Sequence, residues 1–286
     1  MATSDLHVSH DGNREVVEGI RPITDDDWLI VAGDVADRVV DIEWTLRLLR
    51  ERFARVIWAP GNHELWTTSR DEVQLRGVAR YEHLVALCRS LDVLTPEDEY
   101  PIWSTPDEEL VVAPLFVLYD YSWRTAGTTV QEALDHARET GVYCTDEFLL
   151  QPDPFPTRQA WGEERLRLTG ARLDALGTDR RTVLVSHWPL HRLPTSILHY
   201  PHFAMWCGST ATEDWHRRYR AAVAVYGHLH IPVSFQVDGV RFEEVSLGYP
   251  REWRPRPQQP PQPVRRIEPA DPERRQFDHA TRRWLD

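Results

Sequence analysis

The sequence predicts an α/β protein whose helices cover largely parallel strands, and three observations predict it. Short β-rich apolar runs at 28–32, 55–59, 182–186 and 221–225 each end in Gly, Asp, Asn or His, the pattern of buried strands that open into loops. Segments of helical period lie between them. From Pro232 the pattern changes to two paired strands, 233–237 and 240–246, across Asp238-Gly239, a dipeptide suited to the positive φ angles of a two-residue hairpin turn.

Each element can be justified in order. Residues 1–4 read as a very short strand ahead of Asp5. Residues 39–53 place Ile42, Leu46, Leu49 and Phe53 at helical spacing, and 78–91 repeats the pattern with Val78, Tyr81, Leu84, Val85, Cys88 and Leu91. A third helix is expected over 165–176, before Gly177 and the strand that ends at His187. Thr212 is placed to cap a short helix through Trp215 and Tyr219. Beyond Trp253 the run PRPQQPPQP reads as an extended linker. The chain therefore divides into a globular unit, 1–252, and a Pro/Arg-rich tail, 253–286, expected to be partly disordered.

Composition excludes several classes. A length of 286 residues suits one large α/β domain. The formal net charge of −12 argues against non-specific nucleic-acid binding, which needs a cationic surface to release counterions. No apolar run is long enough to span a bilayer, and no basic-then-apolar leader precedes Asp5, so a cytoplasmic protein without a membrane partner is expected. Cys88, Cys144 and Cys207 are few, scattered and odd in number, as where thiols stay reduced. Oligomeric state is left open.

The polar residues at the strand ends carry the chemistry. His228 and His230, in Tyr226-Gly-His-Leu-His, are two residues apart, and on an extended segment such side chains leave one face. Asp5 and His7 in SDLH, Asp34 in GDVAD, Asn62 in GNHE and His187 in VLVSH complete the set. In open α/β sheets, sites assemble beyond the carboxyl ends of the strands, so these loops are expected to deliver one cluster. Seven ligands exceed what one catalytic ion accepts, whereas two divalent ions sharing a bridging carboxylate fit the count. Mixed N and O donors without thiolate suit Mn, Fe or Zn.

The ordered set SDLH, GDVADR, GNHE, VSH and GHLH, from about Asp5 to Pro250, resembles the calcineurin-like metallophosphoesterases. The resemblance implies a four-layer αββα sandwich, two mixed β-sheets flanked by helices, with residues 1–252 as the catalytic domain. It implies that Asp5, His7 and His230 hold one metal, that Asn62, His187 and His228 hold the other, and that Asp34 bridges them. It makes His63 a catalytic acid held by Asp37, with Arg38 touching the phosphate. Two ions of this kind acidify a water and neutralise phosphate oxygens during in-line attack, while a positioned imidazolium protonates the leaving alkoxide. Family members usually have a full strand before the first motif; only four residues precede Asp5 here, and fraying there is expected to weaken the first metal.

Longer stretches, among them WLIVAGDVA, VIWAPGNHELWTT, DEFLL, WCGSTATEDWH and DGVRFEEVSLGYPREW, are similar to one branch of the family, the actinobacterial phosphopantetheinyl hydrolases. That likeness implies a phosphodiesterase that removes 4′-phosphopantetheine from an acyl or peptidyl carrier protein, with Mn or Fe the expected ions and Zn a further option. The alternatives are a metallophosphatase or pyrophosphatase for nucleotides or other small phosphate esters, and a non-catalytic scaffold of the same fold. Candidate substrate contacts are His10, Asn13, Arg70, Trp66, Tyr121 and His191; Asp11-Gly12-Asn13 also reads as a turn. Trp66, Tyr119, Tyr121 and Trp188 are candidate walls for an apolar arm, with buried packing the alternative. Arg251, Arg254, Arg256, Arg265 and Arg266 offer either a docking surface for an acidic carrier protein or a solvated basic tail.

Overall fold

In a computed structural model, the structure describes every residue except 105–107, 178, 256–260, 271–275, 279–282 and 286. Strands β1 (Ala2–Thr3), β2 (Trp28–Val31), β3 (Arg55–Trp58) and β4 (Val93–Leu94) form one parallel sheet in that order. The second sheet holds β5 (Ile102–Ser104), β6 (Glu109–Pro114), β7 (Arg181–Val185), β8 (Ala221–Tyr226), β9 (Ser234–Val237), β10 (Val240–Glu244), β11 (Gln276–Asp278) and β12 (Arg283–Leu285). Its order is β12-β11-β9-β10-β8-β7-β6-β5, with β6, β7, β8 and β10 parallel, β9 and β11 parallel to each other, and the pairs β9–β10, β11–β12 and β5–β6 antiparallel.

The period of two along the strands builds the layers. In β2, Ile30 faces the second sheet, where it joins Ile57, Val112, Val183, Val185 and Val223 in the core between the sheets. Its neighbours Leu29 and Val31 point the other way, into a cluster with Ile42, Leu46, Leu49, Leu84 and Cys88. In β7, Val183 and Val185 line the inter-sheet core, whereas Leu184 packs outward with Leu173, Trp215 and Tyr219. Both faces of each sheet are thus buried, and the expected αββα sandwich results.

The helices are α1 (Asn13–Glu18), α2 (Val39–Arg50), α3 (Asn62–Leu65), α4 (Gly77–Ser90), α5 (Val130–Glu139), α6 (Asp146–Leu149), α7 (Arg158–Asp174), α8 (Trp215–Arg218) and α9 (Pro250–Trp253). Helix α7 begins well before residue 165 because Thr157 caps it, accepting from the Ala160 amide at 3.1 Å. Thr212 is no cap: its hydroxyl donates to the carbonyls of Leu190 and Ser209, and Ser209 caps the 3₁₀ turn Thr210–Thr212. The hairpin is as read, with Val237 opposite Val240 and φ of 50° at Asp238 and 79° at Gly239. The three cysteines are free and buried. Among the described residues no helix is long and apolar enough to cross a membrane.

The first strand is as short as expected but is not a loose edge. It pairs with β2 on one side, while on the other Ala2 and Arg265 exchange two backbone hydrogen bonds of 2.8 Å. The Ser4 amide donates to the Val245 carbonyl at 3.1 Å, so β1 bridges the two sheets. Ile267 is buried in the inter-sheet core. Of the tail arginines, Arg256 lies outside the described residues, as does much of the Pro/Gln-rich run.

Candidate metal centre

The loops after β1, β2, β3, β7 and β8 converge at one end of the sandwich. Asp5, His7, Asp34, Asn62, His63 and His187 are all buried there. One group gathers Asp5, His7 and His230: His230 Nε2 lies 2.9 Å from Asp5 Oδ1 and 3.2 Å from His7 Nε2. A second gathers Asn62, His187 and His228: His187 Nε2 lies 3.0 Å from Asn62 Oδ1 and 3.2 Å from His228 Nδ1. Asp34 Oδ2 stands between them, 3.9 Å from His7 Nε2 and 3.4 Å from His187 Nε2.

The local backbone explains how so many donors fit. Asp5, His7, Asp34, His228 and His230 have φ of 51°, 41°, 55°, 70° and 54°, a left-handed conformation that costs a non-glycine residue about 1 kcal/mol or more. This corrects the extended reading of the His228-Leu-His230 segment. The chain bends there, with the Leu229 amide bonded to the Gly227 carbonyl at 2.8 Å, and the two imidazoles go to different groups. Gly61 is required because a Cβ would sit 2.1 Å from Asp34 Oδ1, and Gly227 because one would sit 2.0 Å from Ser4 Oγ. Glu64 locks two loops together, accepting from the amides of Asp34, Val35 and Gly61 at 2.8 to 3.0 Å.

The donor chemistry fits cations. His187 Nδ1 donates to the Ala32 carbonyl at 2.9 Å, and His230 Nδ1 donates to Glu252 Oε2 at 2.9 Å. Each then presents the lone pair of Nε2 to an oxygen acceptor, Asn62 Oδ1 or Asp5 Oδ1, and only a proton or a cation reconciles two acceptors at that range. Asn62 is aimed the same way, since its Nδ2 donates to Asp146 Oδ1 at 3.0 Å and leaves Oδ1 facing inward. Burial, reinforced by the charges of His187 and His230, lowers the His228 pKa to about 3, which keeps that imidazole neutral. Burial pushes the Asp5 and Asp34 carboxyls up, but the surrounding imidazoles more than reverse it and hold both below the usual carboxylate range.

Beside the donors, His63 Nδ1 donates to Asp37 Oδ1 at 2.6 Å. Burial lowers the pKa of His63, but the charge of Asp34 and the bond to Asp37 outweigh it and raise it above the ordinary value. Its ring lies against Trp66 with centroids 3.6 Å apart and planes tilted by 33°. Arg38, at the start of α2, is committed to Asp41 through contacts of 2.8 and 2.6 Å and is partly exposed. His10 is exposed and meets the edge of Tyr249 at 5.0 Å. Arg70 is exposed on the turn before Asp71 and, among the described residues, makes no bond to the donors.

Four expected substrate contacts are instead structural. Asn13 is buried, its amide donating to the carbonyls of Leu6 and Gly248 while its oxygen accepts from Trp253, so all its capacity is spent on the fold. Trp66 is buried under His63, with Nε1 donating to Asp146 Oδ1 at 2.7 Å. Tyr121 is buried, bonding Glu147 at 2.6 Å and accepting from Arg158 at 2.9 Å. His191 packs against His216 and Phe242 at the side of the second sheet. Tyr119 and Trp188 are likewise buried core residues. Residues given no role by the motif reading are Glu64, Asp146, Tyr249 and Glu252; Glu64 closes GNHE, Asp146 opens DEFLL, and Tyr249 and Glu252 lie in SLGYPREW, so only their presence in those stretches marked them.

Comparison with known proteins agrees with this geometry. Residues 1–232 match the calcineurin-like phosphoesterase family. The chain is 55% identical over 256 residues to the acyl-carrier-protein phosphodiesterase PptH of Mycobacterium tuberculosis, which covers 89% of this chain and 79% of that protein. The crystal structure of the phosphopantetheinyl hydrolase PptH from the same organism superposes with a TM-score of 0.91 at 53% identity, over 95% of this chain and 96% of that one. Matched to the family model over residues 1–232 and 55% identical to a relative along most of its length, the chain belongs to the calcineurin-like phosphoesterase family.

Proposed function

We propose that this protein is a phosphodiesterase that releases 4′-phosphopantetheine from the serine of a holo acyl or peptidyl carrier protein, leaving the apo form. The observation that carries the reading is the high identity to a carrier-protein phosphodiesterase along most of the chain, joined to a complete donor set beside the His63–Asp37 pair. Asp5, His7 and His230 would hold one divalent cation and Asn62, His187 and His228 the other, with Asp34 shared. Mn or Fe suits these N and O donors, and Zn also fits. Such cations, when bound, neutralise phosphoryl oxygens and acidify a water for in-line attack.

The chain's own groups then do the rest. Asp37 accepts a hydrogen bond from His63 Nδ1–H and fixes the ring, so Nε2 of the imidazolium faces the reacting centre and delivers its proton to the departing serine oxygen, leaving neutral imidazole. Trp66, tied to Asp146, prevents the imidazole from turning. Arg38 meets the phosphate from the rim while Asp41 steadies its guanidinium, and His10 and Arg70 line the approach. Residues 1–252 carry the catalytic groups, and 253–286, far from a detached tail, supplies Arg265 beside β1, Ile267 in the inter-sheet core and strands β11 and β12. A cytoplasmic enzyme is the consistent setting.

The test is direct. Metal-loaded protein incubated with holo acyl carrier protein should shorten it by the mass of the phosphopantetheine arm, read by intact-protein mass spectrometry. Unchanged carrier protein alongside rapid turnover of nucleotide monophosphates would favour a small-substrate phosphatase instead.

A further inference from the structure

Tyr249 stands over the metal centre without a settled partner for its hydroxyl. Its backbone is pinned: the amide donates to Glu252 Oε2 at 2.7 Å, and the same carboxylate oxygen accepts from His230 Nδ1 at 2.9 Å. Gly248 before it has a φ of +81°, and a Cβ there would meet Glu252 Oε2 at 2.5 Å. Asn13 ties the Gly248 carbonyl to that of Leu6, between Asp5 and His7, and Trp253 closes the clamp on Asn13 at 3.1 Å. The turn that carries Tyr249 is therefore fixed to the first ligand loop.

The side chain is held by its ring rather than by its oxygen. The phenol stacks on His7 with centroids 4.4 Å apart and planes inclined by 20°, meets the edge of His230 at 4.8 Å, and is covered by Arg251 at 4.7 Å. Its hydroxyl lies 3.4 Å from His63 Nε2, longer than a well-formed hydrogen bond. Tyr249 is half-buried, and hydroxyls withdrawn from water ordinarily find a close acceptor. Here a fixed backbone and a stacked ring carry a donor to the nitrogen that faces the reacting centre, and leave that donor weakly used.

We propose that Tyr249 is a substrate-contacting residue whose hydroxyl donates to a non-bridging phosphoryl oxygen of the ester bound in front of His63. The bond exists in the ground state as well as in the transition state, so it contributes to binding more than to turnover. The assignment rests on the phosphoesterase reading of the site but not on which ester is the natural substrate.

The experiment compares metal-loaded wild type with Tyr249→Phe, which keeps the stack on His7, and with Tyr249→Ala, which removes it. Metal content is measured by elemental analysis, inorganic phosphate binding by calorimetry, and hydrolysis of bis-p-nitrophenyl phosphate by steady-state kinetics. The expected Phe variant retains wild-type metal content, binds phosphate about 10-fold or more weakly, and loses about 10- to 100-fold in kcat/KM, chiefly through KM. An unchanged phosphate affinity in Tyr249→Phe would overturn the proposal, as would loss of metal from that variant, because the hydroxyl would then be structural. If only Tyr249→Ala is impaired, the ring alone matters and the proposal also fails. A wild-type protein that neither binds phosphate nor cleaves the diester sinks both this assignment and the phosphoesterase reading, whereas inertness towards carrier protein alone leaves this assignment standing.

Discussion

At the scale of single residues, the site is a matter of lone pairs aimed by hydrogen-bonding partners behind them. The Ala32 carbonyl, Glu252 and Asp146 each accept a hydrogen bond, from His187, His230 and Asn62 in turn, and thereby decide which atom of each ligand faces inward. The same logic governs His63, whose Nδ1 proton is committed to Asp37. His63→Ala should therefore retain its metals while slowing hydrolysis of an alkyl phosphodiester by about 10² to 10⁴-fold, the range for lost acid catalysis. A nitrophenyl diester, whose leaving group needs less help, should suffer less. Steady-state kinetics on both esters with parallel metal analysis checks this, and equal losses would remove His63 from the role of proton donor. Its motif GNHE was plain in the sequence; the packing of Trp66 beneath it was not, because a tryptophan near a site reads equally as wall or as support.

At the scale of elements, helices α4 and α7 are tied together through a half-buried carboxylate. Glu97, just after β4, accepts from Arg165 of α7 at 2.6 Å and from Tyr81 of α4 at 2.7 Å. Burial raises the pKa of Glu97, but the Arg165 charge and the Tyr81 hydroxyl prevail and hold it below its ordinary value. A carboxyl with a depressed folded pKa contributes stability above its unfolded pKa, and that contribution fades as pH falls through the folded value. Glu97→Gln should thus melt at a lower temperature than wild type near neutral pH, with the difference shrinking below about pH 4. Thermal melts at both pH values test it, and a difference independent of pH would assign the loss to packing. The helical spacing of Leu46 and Leu84 was legible because apolar period is a local property. The early start of α7 was hidden, since its first turns are polar and the signal lay in a single capping threonine.

At the scale of the whole molecule, the centre joins loops from two sheets, and cations bound there exist only in the folded state. Metal removal should lower the melting temperature, and restoring metal should raise it with concentration as mass action requires. Calorimetry on chelated and reloaded protein measures this; a melting temperature indifferent to metal would show that the loops hold their places unaided. The sequence by itself determined the alternation of strands and covering helices, the polar residues at the strand ends and the hairpin, because period, strand-end polarity and turn chemistry are written within a few residues of each other; the four-layer arrangement was implied only by the family resemblance. Only the tertiary structure decided that five donors take left-handed backbones, that β1 is clamped between β2 and Arg265, and that Asn13, Tyr121 and His191 serve packing while Tyr249 reaches the site. The physical reason is distance along the chain: Asn13 meets Gly248, and His63 meets Tyr249, across separations that no local pattern encodes.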